Sequence, residues 1–324
     1  MEAKHLSKYM SADIARVESI MRASLGSDIR LLQETNNDVL ASGGKRIRPI
    51  MAVLVAKALG RCNDDTYLFA AASELIHNAS LLHDDVADDA SLRRGKPTVS
   101  SILGPRASVL LGDFWLVKGI DVILSAQRYG ERVMHGFAKT LSHLAEGEML
   151  QLELARTGRT TEEDYLRVIF DKTASLFEVS AYSAAISAGV PDARVAAAAN
   201  YARCVGMAFQ IKDDIFDYQE ASNIGKPVGQ DLRERKITLP LLGAFKTKPE
   251  REAEIRKKVC LVPEHPEYIA EIMEYVRDGE GIHYAEKRMQ DYLHEAVESL
   301  SAFPDCPEKE YLAYVVHYIA ERTF

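Results

Sequence analysis

The chain has 324 residues, of which 47% are hydrophobic and 27% charged, with a formal net charge of -8. That apolar content builds a sizeable buried core and excludes a disordered polypeptide. The acidic balance excludes general nucleic-acid binding, which needs a surplus of Lys and Arg facing the phosphates, so any anionic ligand must meet a local cationic pocket.

In chain order, the first feature is SGGKRIRP, with Lys45, Arg46 and Arg48 following two glycines and Pro49 opening a helix. Glycines leading into a helix start leave backbone amides and the helix dipole available to a phosphate. Apolar residues at three and four spacing then predict helices over Ile50 to Leu59 and Leu68 to Leu82. The second of these runs into LLHDDVADD, where Asp84, Asp85 and Asp88 stand in DDxxD spacing, followed by Arg93 and Arg94 in SLRRGKPT. Thr160 and Glu163 predict a capping box for a helix that runs to about Gly189, where Pro191 stops it. Another helix is predicted over Val195 to Phe209, leading into a second DDxxD cluster, Asp213, Asp214 and Asp217 in FQIKDDIFDY. GKPVGQDLRERK, with Lys226 and Lys236, comes next, and Tyr268 to Val276 is again helical in pattern.

Hairpin signals are missing, and no linker or repeat divides the chain, so the predicted fold is all-α with one domain over residues 1–324. The cysteines, Cys62, Cys204, Cys260 and Cys306, have neither CxxC spacing nor neighbouring His, which predicts reduced thiols. No uncharged apolar stretch reaches the roughly 20 residues of a bilayer crossing, and MEAKHLSKYM lacks the apolar core of a secretory signal. A cytoplasmic protein is expected.

On an α-helix, residues four apart lie about 40° apart around the axis, so Asp84 with Asp88, and Asp213 with Asp217, share a face. Carboxylates crowded beside apolar positions need cations to neutralise them. An oxygen-only donor set without His or Cys points to a hard ion such as magnesium, which takes one or two carboxylates together with phosphate oxygens and waters. Acidic clusters each followed by basic residues read as a metal site plus a phosphate clamp.

GGKRIRP, LIHNASLLHDDVADDASLRRGKPT, DKTASLF, and GMAFQIKDDIFDY followed by GKPVGQDLRERKITLPL occur in an order that strongly resembles the trans-type polyprenyl diphosphate synthases, from about residue 40 to 245. The resemblance implies an all-α bundle of ten to a dozen helices around a central cavity, usually a homodimer. It implies three magnesium ions held by Asp84, Asp85, Asp88, Asp213, Asp214 and Asp217 against an allylic diphosphate. Arg93, Lys172, Lys226 and Lys236 would touch that diphosphate. Gly44 (through its backbone), Lys45, Arg48, His77 and Arg94 would bind isopentenyl diphosphate, and Thr173 and Gln210 would place oxygens near a developing carbocation. The implied reaction is ionisation, condensation and elimination, with no protein nucleophile and at most peripheral membrane contact for product release.

Residues four and five before Asp84, Ser80 and Ala79, lie about 6 to 7.5 Å deeper along the same helix. Bulky residues there floor the cavity of short-chain members, so two small ones predict a long product of the octaprenyl class, with the floor expected on the next helix around Trp115, Gly119, Val122 or Ile123. A short-chain synthase is the alternative. A terpene cyclase would lack the Lys45, Arg48 and His77 group, and a non-catalytic partner subunit would have lost aspartates that are all present here.

Overall fold

The structure, a computed structural model, describes residues 3–93, 95–219 and 228–322. Its helices are α1 (Ala3–Ser24), α2 (Arg30–Ala41), α3 (Ile47–Ala58), α4 (Asp64–Ala87), α5 (Val99–Leu103), α6 (Pro105–Leu124), α7 (Gly130–Thr157) and α8 (Glu162–Ile169). A π-helical turn, Phe170–Ala174, joins α8 to α9 (Ser175–Ala188) and α10 (Asp192–Phe216). The chain continues through α11 (Gln230–Arg233), α12 (Leu239–Thr247), α13 (Glu252–Leu261), α14 (Tyr268–Asp278), α15 (Gly281–Ser299) and α16 (Pro307–Glu321). Among the described residues the only sheet is an antiparallel ribbon of β1 (Leu92–Arg93) and β2 (Lys96–Pro97), reversed at Gly95, whose φ is 75°. The all-α expectation holds. Short pieces such as α5 and α11, and the π-turn, make the segments more numerous than the ten to a dozen expected.

Two predicted helix starts move. The capping box belongs to Thr161 and Asp164, one residue beyond the predicted pair: the Thr161 hydroxyl accepts from the Asp164 amide, and the Asp164 carboxylate accepts from the Thr161 amide. Thr160 is buried instead. α3 begins at Ile47, not at Pro49, which is tolerated in the first turn because the first four amides of a helix have no partner within it.

The described residues fall into two compact units. The first comprises the chain up to Ala138, Val179–Ala199 and Phe303–Leu312. Its spine is α4, against which α6 packs closely. A Cβ at Gly119 would stand 2.9 Å from Ile76 Cγ1, and one at Gly112 would stand 2.4 Å from His83 Nε2, so only glycine lets the helices approach there. Ile76 and His83, seven residues apart, are one heptad of a single stripe, as are Gly112 and Gly119. Trp115, fully buried between those glycines, donates to Asn36 Oδ1 at 2.8 Å, and Asn36 Nδ2 donates to the Leu25 carbonyl at 2.8 Å, which ties α6 to α2. On another side of the unit, Lys57 of α3 and Tyr67 of α4 both donate to Asp13 of α1 at 2.6 Å.

The second unit comprises Lys139–Glu178, Asn200–Ala302 and Ala313–Phe324. Here too glycine sets the close approaches. A Cβ at Gly206 of α10 would lie 2.6 Å from Ala174 Cα in the π-turn, and one at Gly147 of α7 would lie 2.7 Å from Asp171 Cβ. α12 meets α15 where Gly243 faces the Tyr284 ring. No helix among the described residues is long and apolar enough to cross a membrane.

Candidate active site

The first unit carries the loop Ser42 to Arg46 and the carboxyl end of α4. Gly43 turns the loop at φ 69°, Gly44 and Lys45 are exposed, and Arg46 takes φ 49° as the residue before α3. Arg48 is half-buried in the first turn of α3, its carbonyl accepting from Ser180 Oγ at 3.3 Å. His77 is half-buried on α4, with Ser80 Oγ donating to its carbonyl at 2.9 Å. Ala79 is buried and Ser80 half-buried.

α4 ends inside the acidic cluster. Asp84 is half-buried, Asp88 is the exposed C-cap, and Asp89 adopts φ 48°. Asp85 is different: it is 4% exposed, and its Oδ1 accepts from Arg93 Nε of β1 at 2.7 Å. Asp85 and Arg93 also line a cavity of about 510 Å³ with Asn78, Leu82 and Lys96. Arg94 and Lys226, both singled out in the sequence, lie outside the described residues.

The second unit builds its cluster around a buried hydrogen-bonded chain. Thr173 Oγ1 in the π-turn donates to Gln210 Oε1 at 2.8 Å. Gln210 Nε2 donates to Asp214 Oδ1 at 2.9 Å, one turn on along α10, and Tyr165 of α8 donates to Asp214 Oδ2 at 2.6 Å. Asp214 is 5% exposed, and burial pushes its carboxyl up to about 7 against the relief those two donors give. Asp217 lies just past α10 and is held by the amides of Gln230 and Asp231, both at 2.9 Å; burial raises it too. Asp213 is the open member of the trio and accepts from Arg322 at 2.6 Å.

The π-turn also positions Lys172, whose Nζ donates to Gln151 Oε1 at 3.1 Å and pairs with Glu148 of α7. A π-turn holds one more residue than an α-turn, so it rotates successive side chains differently and recurs at functional sites. Asp171, inside the turn, is buried and paired with His143 Nδ1 at 2.7 Å. Lys236 pairs with Glu234, and its charge also acts on Asp214 and Asp231.

Among the described residues no three His, Cys, Asp or Glu side chains converge closely enough to hold a metal alone. The clusters nonetheless fit a hard cation. Every donor is oxygen, each carboxylate oxygen has a second lone pair beyond the hydrogen bond it accepts, and a hard cation takes its remaining ligands from phosphate and water.

Residues 29–276 match the polyprenyl synthetase family model. The chain belongs to the polyprenyl synthetase family. Its similarity extends over the whole length: it is 35% identical to octaprenyl diphosphate synthase of Haemophilus influenzae, over 100% of this chain and 98% of that protein. Among solved structures, a decaprenyl diphosphate synthase from Rhodobacter capsulatus superposes with a TM-score of 0.93 at 32% identity, covering 99% of each chain. A polyprenyl synthase from Caulobacter crescentus, solved with calcium and isoprenyl diphosphate, gives a TM-score of 0.90 at 33% identity over 99% of this chain and 98% of its own.

In this polyprenyl synthetase three residues of the candidate site escaped the sequence reading. Tyr165 reads as one more apolar position of an amphipathic helix. Asp231 is half-buried, and its carboxyl is raised well above the ordinary range by desolvation and by Asp214 and Asp217, yet it stands fourteen positions beyond Asp217. Arg322 is separated from Asp213 by 109 positions, which no local spacing can reveal. His83, directly before the first aspartate, packs on α6 with its Nε2 3.2 Å from Asp113 Oδ1.

Proposed function

We propose that this polyprenyl synthetase joins isopentenyl diphosphate to an allylic diphosphate, farnesyl or geranylgeranyl, and extends it into a long all-trans polyprenyl diphosphate. The observation that carries the reading is that both carboxylate clusters are intact, each placed at the carboxyl end of a long helix, α4 and α10, with cationic side chains nearby. The cation is magnesium, three ions held by Asp84, Asp85, Asp88, Asp213, Asp214 and Asp217. Bound magnesium supplies the Lewis acidity that stabilises charge on a departing diphosphate.

The chain's own residues supply the rest. Arg93, Lys172, Lys236 and, by sequence, Lys226 grip the allylic diphosphate, so that fixed cations favour the charge of the transition state over that of the ground state. The Gly44 amide, Lys45, Arg48, His77 and, by sequence, Arg94 hold isopentenyl diphosphate with its double bond oriented for attack. Thr173 Oγ1 and Gln210 Oε1, fixed 2.8 Å apart, present oxygens to the allylic cation without acting as nucleophiles. The protein works in the cytoplasm as a homodimer with at most peripheral membrane contact.

Product length follows from Ala79 and Ser80, which put no bulk one turn below Asp84. The test is incubation with isopentenyl diphosphate, farnesyl diphosphate and magnesium, followed by chain-length analysis of dephosphorylated products for wild type, Asp84→Ala and Ser80→Phe. Wild type should give a long-chain product, Asp84→Ala none, and Ser80→Phe a shorter one. A wild-type product stopping at geranylgeranyl length would establish the short-chain alternative, and no elongation from any allylic starter would end the prenyl-transfer reading.

A further inference from the structure

Three cations stand together in GGKRIRP, but the structure treats one of them differently. Lys45 is exposed and Arg48 half-buried, whereas Arg46 is 7% exposed. Its guanidinium pairs through Nη1 with Glu74 Oε1 of α4 at 2.8 Å and through Nε with Glu18 Oε1 of α1 at 3.2 Å. Glu74 is itself 4% exposed, so this is a buried ion pair with a third charge at its rim.

The backbone makes the arrangement more pointed. Arg46 sits at φ 49° and ψ 35°, a left-handed conformation in which glycine is the default residue. A long charged side chain persists in such a strained geometry only where its surroundings over-determine it. We infer that Arg46 is a positioning residue for isopentenyl diphosphate: its buried pairing with Glu74 holds the left-handed turn that sets Lys45 and Arg48 in register with His77. This rests on the assignment of Lys45, Arg48 and His77 to that substrate.

The register argument is local. Glu74 and His77 lie three residues apart on α4, so they occupy neighbouring positions on its surface. The next residue on the substrate side of the pair, Lys45, points to solvent, while the left-handed turn lets α3 start at Ile47 and places Arg48 in its first turn. The Arg48 carbonyl is held in turn by Ser180 Oγ, which also donates to Ser73 Oγ at 3.2 Å, beside Glu74 in sequence. Arg46 therefore has its charge already matched inside the protein and is not a phosphate ligand. Buried ion pairs add little net stability over apolar packing, and their best-attested use is to specify register, which is the role assigned here.

The test is steady-state kinetics in both substrates, with thermal melts, on wild type, Lys45→Ala, Glu74→Gln, Arg46→Lys and Glu18→Gln. Lys45→Ala should raise KM for isopentenyl diphosphate. Glu74→Gln should raise that same KM about tenfold, equivalent to about 1.4 kcal/mol, with the allylic KM unchanged. Arg46→Lys, which keeps the charge but not the guanidinium's separate contacts to Glu74 and Glu18, should raise it by a smaller factor, and Glu18→Gln should likewise show a smaller rise in the same single parameter. Equal rises in both KM values, or a lowered melting temperature with both KM values unchanged, would reduce Arg46 to a structural role and overturn the inference. Should Glu74→Gln fail to fold, Glu18→Gln and Arg46→Lys carry the comparison, with an unchanged isopentenyl diphosphate KM in both counting against it. An unchanged KM in Lys45→Ala would instead remove the substrate assignment on which the inference rests.

Discussion

The two acidic motifs share one spacing and live in opposite surroundings. At the end of α4, Asp84 is half-buried and Asp88 exposed, and only Asp85 is buried, matched by Arg93. At the end of α10, Asp214 is buried within a hydrogen-bonded chain, Asp217 caps the following turn, and Asp231 adds a further carboxylate that is also raised by burial. The same five-residue pattern can therefore make an accessible set of carboxylates, cheap to keep charged, or a buried set whose charged form burial disfavours.

The largest effect should separate the two by stability as well as rate. Asp84→Asn is expected to lower kcat about 10³-fold, the scale of losing one fixed transition-state contact, with the melting temperature nearly unchanged. Asp214→Ala should lower kcat by a similar factor and also unfold more easily, because the Tyr165 hydroxyl and the Gln210 amide each lose a buried acceptor at about 1–3 kcal/mol. Thermal melts beside turnover assays check both; equal melting temperatures for the two variants would erase the distinction.

A pH series sharpens it further. Asp214 titrates near 7 in the folded protein and near the ordinary carboxylate value when unfolded, so the native state holds its proton more tightly. That contribution to stability is fully present below about pH 4 and is lost as pH rises through about 7. Metal-free protein should accordingly melt at a lower temperature at pH 7.5 than at pH 5, and saturating magnesium should recover most of the loss at the higher pH. The slope should flatten in Asp214→Asn and persist in Asp84→Asn.

The smallest expected effect concerns Arg322, which already occupies Asp213 and stacks over the Phe209 ring at 4.0 Å. Arg322→Ala should lower the magnesium concentration for half-maximal rate about threefold, roughly 0.7 kcal/mol, since the metal no longer competes with a resident guanidinium. The melting temperature should fall through the packing lost over the Phe209 ring. An unchanged magnesium requirement would mean that the pair persists in the loaded enzyme.

Fold class and both acidic motifs were legible because each is a local pattern: apolar residues at helical spacing, and carboxylates four apart on one face. Helix starts were legible to within about four residues: α4 begins at Asp64 where the apolar pattern began at Leu68, α10 at Asp192 where it began at Val195, and of Thr160 and Thr161, which can both satisfy a cap pattern, only packing chooses. The environments of the aspartates were not legible. Burial of Asp85 and Asp214 depends on Arg93 and Tyr165 arriving from other segments, and the exposure of Asp88 depends on where α4 stops. Arg46 shows the same limit from the other side, since a basic residue between Lys45 and Arg48 carries no local mark of pointing inward. Nor do Gly112, Gly119, Gly147 and Gly206 carry a local mark of the close helix approaches they allow.

The π-turn at Phe170–Ala174 has a consequence for how this sequence can change. Because it contains one residue beyond an α-turn, it absorbs an extra position while keeping α8 and α9 in phase, so removing one of the five would let them fuse into a continuous α-helix whose outer side chains keep their directions. Only side chains within the turn would be re-aimed, so Thr173 would leave Gln210 while Tyr165 stayed on Asp214. The length of this stretch therefore sets the direction of Lys172 and Thr173 without rebuilding the helices on either side.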